Sequence, residues 1–181
     1  MMQSKTILNV YPDIDILMNE PLSKYTHTLT GGPADILAFP RSIKECQQLL
    51  DYANENHLPI TVIGNASNLI VKDGGIRGLT MILTKIKKIT SHENLVVAES
   101  GAALIDVTKA AQANSLTGLE FAAGIPGSVG GAVYMNAGAY GGDIENVVTG
   151  AEVLTPDNHI LHLNHKQLDF GYRHSSVQDH H

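Results

Sequence analysis

Apolar and polar residues fall into short blocks along the chain, and most blocks have a recognisable period. Ala34 to Phe39 is a compact apolar run closed by Pro40, which predicts a buried strand. Ser42-Ile-Lys-Glu45 has capping-box spacing: the Ser side chain can take the Glu45 amide, and Glu45 can reach back to Ser42. Apolar or small residues at 46, 49, 50 and 53 then line one helical face. Behind Pro59, Ile60-Thr-Val-Ile63 is a β-branched strand. Strand, helix and strand in that order predict a parallel pair joined by a right-handed crossover. Ile14 to Tyr25 reads as a helix broken near Pro21.

Further along, Leu79 to Leu83 predicts a strand. Ile86 to Thr90 and Leu95 to Ala98 predict a hairpin about His92-Glu-Asn94. Leu104, Val107, Ala110 and Ala111 give a helical face over residues 103–114. Val147 to Leu154 and His159 to Leu163 read as strands around the turn Pro156-Asp-Asn158. The pattern is α+β. A change of texture near residue 85 divides the chain into an N-terminal segment (1–30), a small β-α-β lobe (31–85) and a mixed α+β lobe (86–181).

Composition narrows the functional classes. Of 181 residues, 43% are hydrophobic and 17% charged, which excludes a wholly disordered chain. Twelve basic residues face eighteen acidic ones, for a net charge of -6. The only basic cluster is Lys85, Lys87 and Lys88, so no nucleic-acid partner is expected. No stretch approaches the roughly 20 apolar residues of a membrane helix, and Met1 to Leu17 carries no secretory pattern. A soluble cytoplasmic protein with no membrane partner is expected. Cys46 is the sole cysteine, so an internal disulfide and a multi-cysteine metal site are excluded. It falls on the helical stripe, where packing explains it. Nine histidines, His180 and His181 among them, are scattered, and no metal site is expected.

The glycines carry the candidate chemistry. Gly64-Asn65-Ala66-Ser67-Asn68 follows a strand directly. From Gly118 to Gly142, glycine fills eight of 25 positions, including Gly124-Ile125-Pro126-Gly127-Ser128-Val129-Gly130-Gly131. Glycine lets a backbone approach a ligand closely, and successive amides can form an anion-binding nest. Ser67, Asn68 and Ser128 can add side-chain donors, and a helix starting near Ser128 would turn its N-terminus toward phosphate. A diphosphate is the natural guest of two such loops. The first loop is equally well a plain turn; the second holds more glycine than tight packing alone would demand. The nucleotide-binding G-x-x-x-x-G-K-[ST] and G-x-G-x-x-G loops and the hydrolase G-x-S-x-G elbow are all absent. Near the chain end, Tyr172-Arg173 offers a guanidinium fork suited to a carboxylate, although a surface arginine reads the same way.

From Tyr25 to Ser175 these tracts resemble the UDP-N-acetylenolpyruvoylglucosamine reductases, also called UDP-N-acetylmuramate dehydrogenases. The specific parts are Gly64-Asn-Ala-Ser-Asn-Leu-Ile-Val71, Gly118 to Gly142, and Tyr172-Arg173. The resemblance implies a two-lobed FAD-binding fold of the vanillyl-alcohol-oxidase and p-cresol-methylhydroxylase type, with non-covalent FAD between the lobes. It assigns the FAD diphosphate to Gly64, Asn65, Ala66, Ser67, Asn68 and Leu69 and, on the second loop, to Gly124, Ile125, Pro126, Gly127, Ser128, Gly130 and Gly131. It implies NADPH as hydride donor and UDP-N-acetylglucosamine enolpyruvate as acceptor, in peptidoglycan precursor synthesis. Arg173 matches the arginine that stabilises the enolate, and Tyr172 with Arg173 would contact substrate.

Ala98-Glu-Ser-Gly101 departs from the family's commoner Ala-Gly-Ala-Gly. Family members continue into a C-terminal substrate domain carrying the proton donor and a catalytic glutamate, which this sequence lacks. Residues 1–181 alone are therefore expected not to turn over. A flavin-binding fragment, or a flavin oxidase of the same fold, are the alternatives. The oligomeric state is not legible.

Overall fold

The computed structural model describes residues 6–179; the first five residues of the N-terminal segment and the His180–His181 pair lie outside the described residues. A short helix α1 (Ile7–Val10) leads into strand β1 (Asp15–Pro21). Strand β2 (Pro33–Phe39), helix α2 (Ile43–Glu55), β3 (Ile60–Ile63) and β4 (Ile76–Ile82) follow. Their sheet has the order β1-β2-β4-β3, with β1 antiparallel to β2 and the other neighbours parallel.

Two expectations are corrected here. The stretch Ile14 to Tyr25 is a strand followed by a 3-10 turn at Leu22–Lys24, not a helix. Ile14 and Ile16 are buried while Asp15 and Leu17 are only half-buried, a period of two that suits pairing with β2. Tertiary pairing overrides the local helical pattern. The strands β2 and β3 share the expected parallel sense but do not touch as a pair, because β4 lies between them. Burial explains the order. Gly78 to Ile82 of β4 are all buried, as a central strand requires, whereas Val62 of β3 is 56% exposed at the edge.

Helix α2 begins as its sequence predicts. Ser42 Oγ accepts the Glu45 amide at 3.2 Å, but the Glu45 carboxylate takes the Arg41 amide at 2.7 Å rather than that of Ser42. Leu49, Leu50 and Ala53 of α2 pack on one face of the sheet against Ile36, Ala38, Leu79 and Met81. The other face buries Leu37, Phe39, Ile63 and Ile82, and it is covered by Leu22 and by Ala66 and Val71 of the loop after β3. That loop is thus anchored to the core by two apolar side chains.

The second half holds the hairpin β5 (Ile89–His92) and β6 (Leu95–Ala98), then helix α3 (Leu104–Ala113). The hairpin starts later than expected, since Ile86 is buried and its carbonyl accepts the Gly101 amide instead of joining the ladder. A 3-10 turn at Glu120–Gly124 and helix α4 (Val129–Tyr134) follow, then the tiny hairpin β7 (Gly138–Ala139) and β8 (Gly142–Asp143). These elements share a core of Leu104, Phe121, Ala122, Ala132, Ala137 and Ile144. The last hairpin pairs β9 (Gly150–Leu154) with β10 (Ile160–Asn164). β9 begins three residues later than predicted, because a 3-10 turn occupies Ile144–Asn146 and its carbonyl at Ile144 takes the Val147 and Val148 amides.

The turn between β9 and β10 docks on α2. Asn54 donates to the Pro156 carbonyl at 2.8 Å, and Asn158 donates to Asp51 at 2.7 Å. The two halves of the chain are therefore tied together at the far end of α2.

Candidate functional site

The first glycine loop leaves β3 at Gly64. Its amides from Gly64 to Leu69 meet no acceptor among the described residues. Ala66 adopts a left-handed φ of 53°. A run of unsatisfied donors interrupted by one left-handed residue is the geometry of an anion nest. Buried or half-buried amides without partners are unfavourable unless water or a ligand satisfies them. The side chains of Asn65, Ser67 and Asn68 make no hydrogen bond among the described residues, so they too are available.

The second loop is organised differently. The amides of Gly127, Val129 and Gly130 donate to Ile125, Ala102 and Ser100 carbonyls at 3.0, 2.9 and 2.7 Å. The Gly131 amide donates to Ser128 Oγ at 3.4 Å, the cap of α4. That leaves the Ser128 amide with no acceptor among the described residues. The helix expected near Ser128 is present, but it is only six residues long. Packing explains more of the glycines than the sequence reading allowed. A Cβ at Gly130 would lie 2.9 Å from Ser100 Cβ, and one at Gly142 would lie 2.9 Å from the Phe121 ring. Gly124 has open space where a side chain would stand, and Gly127 has only a loose 3.9 Å neighbour.

The two loops meet. A Cβ on Gly64 would fall 2.1 Å from Ser128 Oγ and 3.2 Å from Ser128 Cβ, so the missing side chain is what allows the contact. Asn65 of the first loop and Ser128 of the second line one cleft of about 250 Å³. Thr84, Lys87, Gly101 and Asp106 also line it, with Ile89 and Ala103. None of these was singled out as a ligand-contact residue from sequence; the Lys85–Lys88 charge cluster and Glu-Ser-Gly101 were the available signals. Gly101 is demanded by packing, since a Cβ there would clash with the Leu83 carbonyl. The cleft is smaller than the roughly 300–1,000 Å³ of a whole small-molecule site, and its size suits the central part of a longer ligand. A larger hollow of about 470 Å³, bounded by Tyr11, Asp13, Ile16 and Arg41, contains none of the predicted residues.

Tyr172 and Arg173 do not line the cleft. They form the tip of a tight turn closed by reciprocal hydrogen bonds between Gly171 and His174, of 3.1 and 3.2 Å. Tyr172 is 97% exposed, and Arg173 takes a left-handed φ of 57°. The turn is seated on the C-terminal end of α4. Buried Asn136 donates to the Gly171 carbonyl at 3.0 Å and accepts from the Glu145 amide at 2.9 Å. Ser175 and Gln178 both donate to the Tyr134 carbonyl, at 3.1 and 2.6 Å. α4 therefore joins the cleft, at Ser128, to the Tyr-Arg turn. Cys46 is buried, and desolvation pushes its thiol up to about 11, so it is protonated and inert at neutral pH. Histidines pair singly with exposed carboxylates, such as His159 with Asp157, and no metal-binding cluster occurs among the described residues.

Residues 34–164 match the family of FAD binding domains, and the chain belongs to that family. It is 63% identical over 180 residues to the UDP-N-acetylenolpyruvoylglucosamine reductase of Levilactobacillus brevis, covering 99% of this chain and 59% of that protein. The reductase of the same name from Lactiplantibacillus plantarum is 62% identical over 176 residues, covering 97% and 58%. In three dimensions the chain is similar to the crystal structure of UDP-N-acetylenolpyruvylglucosamine reductase from Thermus caldophilus. The TM-score is 0.73 at 31% identity, over 90% of this chain and 56% of that one. Cholesterol oxidase from B. sterolicum shares the fold, with a TM-score of 0.64 at 18% identity over 91% and 35%. The chain spans a little under three fifths of the length of the curated relatives it matches.

Proposed function

We propose that this chain is the flavin-holding part of a UDP-N-acetylenolpyruvoylglucosamine reductase. FAD binds without a covalent link, its diphosphate lying between the 64–69 loop and Ser128. The two lobes are residues 31–85 and 86–181, in the cytoplasm, and the pathway is peptidoglycan precursor synthesis. The observation that carries the reading is the contact of Gly64 with Ser128 beside a row of amides that lack acceptors. The relatives' names support the UDP-N-acetylglucosamine enolpyruvate as substrate, and NADPH as hydride donor rests on the family resemblance.

When bound, FAD supplies the hydride relay from NADPH to the enolpyruvyl double bond. The chain's own residues bind and orient. The 64–69 amides and Ser128 fix the diphosphate, and the glycine faces at 124 and 127 let the ligand approach the backbone. Arg173 is assigned to negative charge that develops on the substrate, where a fixed guanidinium is worth most in a dry site. Tyr172 contacts substrate beside it. The exposure of Tyr172 and of the Arg173 turn favours binding without turnover for residues 6–179 alone, because nothing among them shields that turn from water.

Titration of the purified chain with FAD, read by the flavin absorption band and fluorescence, is the test. Saturable binding with release of all flavin into the supernatant on acid precipitation is expected. NADPH oxidation by this chain should not rise when the UDP-sugar is added. A chain that takes up no flavin would overturn the reading.

A further inference from the structure

The cleft holds a feature that neither the glycine loops nor the Tyr-Arg turn uses. Its donors are neutral amides and hydroxyls, yet the guest proposed for it is a diphosphate, and its walls contain a single cation, Lys87. The neighbouring charges are otherwise engaged. Among the described residues Lys85 is paired with Asp15 at 2.5 Å, and Lys109 with Asp106 at 3.1 Å, while Lys87 has no carboxylate partner. Asp106 is the one acidic residue on the walls, and Lys109 offsets its charge.

The backbone on both sides of Lys87 is pinned. Buried Ile86 donates its amide to the Leu83 carbonyl at 2.9 Å and accepts from Gly101 at 2.8 Å. Lys88 donates its amide to Glu99 Oε2 at 2.6 Å, and its carbonyl accepts the Glu99 amide at 2.9 Å. Glu99 and Ser100 are the two residues that depart from the family's Ala-Gly-Ala-Gly pattern. The Glu99 carboxylate closes the strap that carries Lys87. An exposed lysine on a backbone held in this way, and lining the cleft, can pair its ammonium with an anion that settles there.

We infer that Lys87, steadied by the Glu99 side chain through Lys88, supplies the positive charge that neutralises the diphosphate bound between the 64–69 loop and Ser128. The inference rests on the FAD reading above and adds a residue to it. Because the lysine is solvated, its contribution is modest and is screened by salt.

The test is FAD affinity across ionic strength for the wild-type chain, Lys87→Gln, Lys87→Arg and Lys88→Gln. Lys87→Gln should bind about fivefold more weakly at low salt, the difference shrinking below about twofold near 0.5 M. Lys87→Arg and Lys88→Gln should bind as wild type does. Glu99→Ala should lose about twofold, and Glu99→Gln, which keeps an acceptor for the Lys88 amide, should recover it. Riboflavin, which has no phosphate, should not distinguish wild type from Lys87→Gln. Thermal melting of each flavin-free variant reports folding separately. A wild-type chain that binds FAD while Lys87→Gln matches it at every salt concentration overturns the role of Lys87 alone. A wild-type chain that binds no FAD overturns the whole site.

Discussion

The two loops that meet at the cleft contrast in composition and in hydrogen bonding. The 64–69 loop has one glycine, and all of its amides are free of acceptors among the described residues. The 124–131 loop has four glycines, and most of its amides are bonded to the Ser100–Leu104 stretch or within the loop itself. Density of glycine is therefore not density of available donors. In the first loop the donors come from a left-handed alanine and a strand that ends early. In the second, glycine mainly allows close packing, and the loop presents a rigid wall with Ser128 at its edge.

The sharpest way to break this contrast is Gly64→Ala. The added methyl must displace Ser128, and overpacking of this kind costs about 1–3 kcal/mol. FAD affinity should fall by tenfold or so, with a drop in melting temperature. Adding Ser128→Ala to it should restore part of both losses, because the overlapping hydroxyl is gone. A Gly64→Ala chain with wild-type affinity would mean that the loops need not touch.

Ser128→Ala alone should have a smaller effect. It removes the cap on Gly131, worth about 1 kcal/mol, and one wall hydroxyl of the cleft. Urea titration and FAD binding should both register it, the latter by several-fold.

Smallest in stability are Gly124→Ala and Gly127→Ala. Neither glycine has a left-handed φ or a close neighbour. Melting should be unchanged or raised by up to about 1 kcal/mol, since alanine restricts the unfolded chain. If the open faces serve the ligand, FAD affinity drops a few-fold nonetheless. Unchanged affinity in both would restrict the second loop's part to Ser128.

Local chemistry was readable where it decided the outcome. The Ser42 cap, the stripe at 46, 49, 50 and 53, and the helix at Leu104 depend on neighbours within a few residues, and the structure has them. Ile14 to Tyr25 became a strand because its partner is β2, and β4 entered between β2 and β3 because its residues from Gly78 to Ile82 can be buried on both faces, whereas β3 leaves Val62 exposed. Such long-range competition leaves no local trace. At the site, the positions of both loops were visible, but which loop kept its amides free was not. That depends on Ala102 and Ser100 finding Val129 and Gly130, contacts separated by nearly thirty residues.

Helix α4 has a further consequence. It runs from the Ser128 cap to the Tyr134 carbonyl that seats the Tyr172-Arg173 turn, so it works as a fixed ruler of about 9 Å between the cleft edge and the seat of that turn. A single residue inserted into it would rotate one end by about 100° relative to the other. The cleft and the turn would each survive intact, but the one would be re-aimed relative to the other. An insertion there should therefore uncouple the two places without unfolding either.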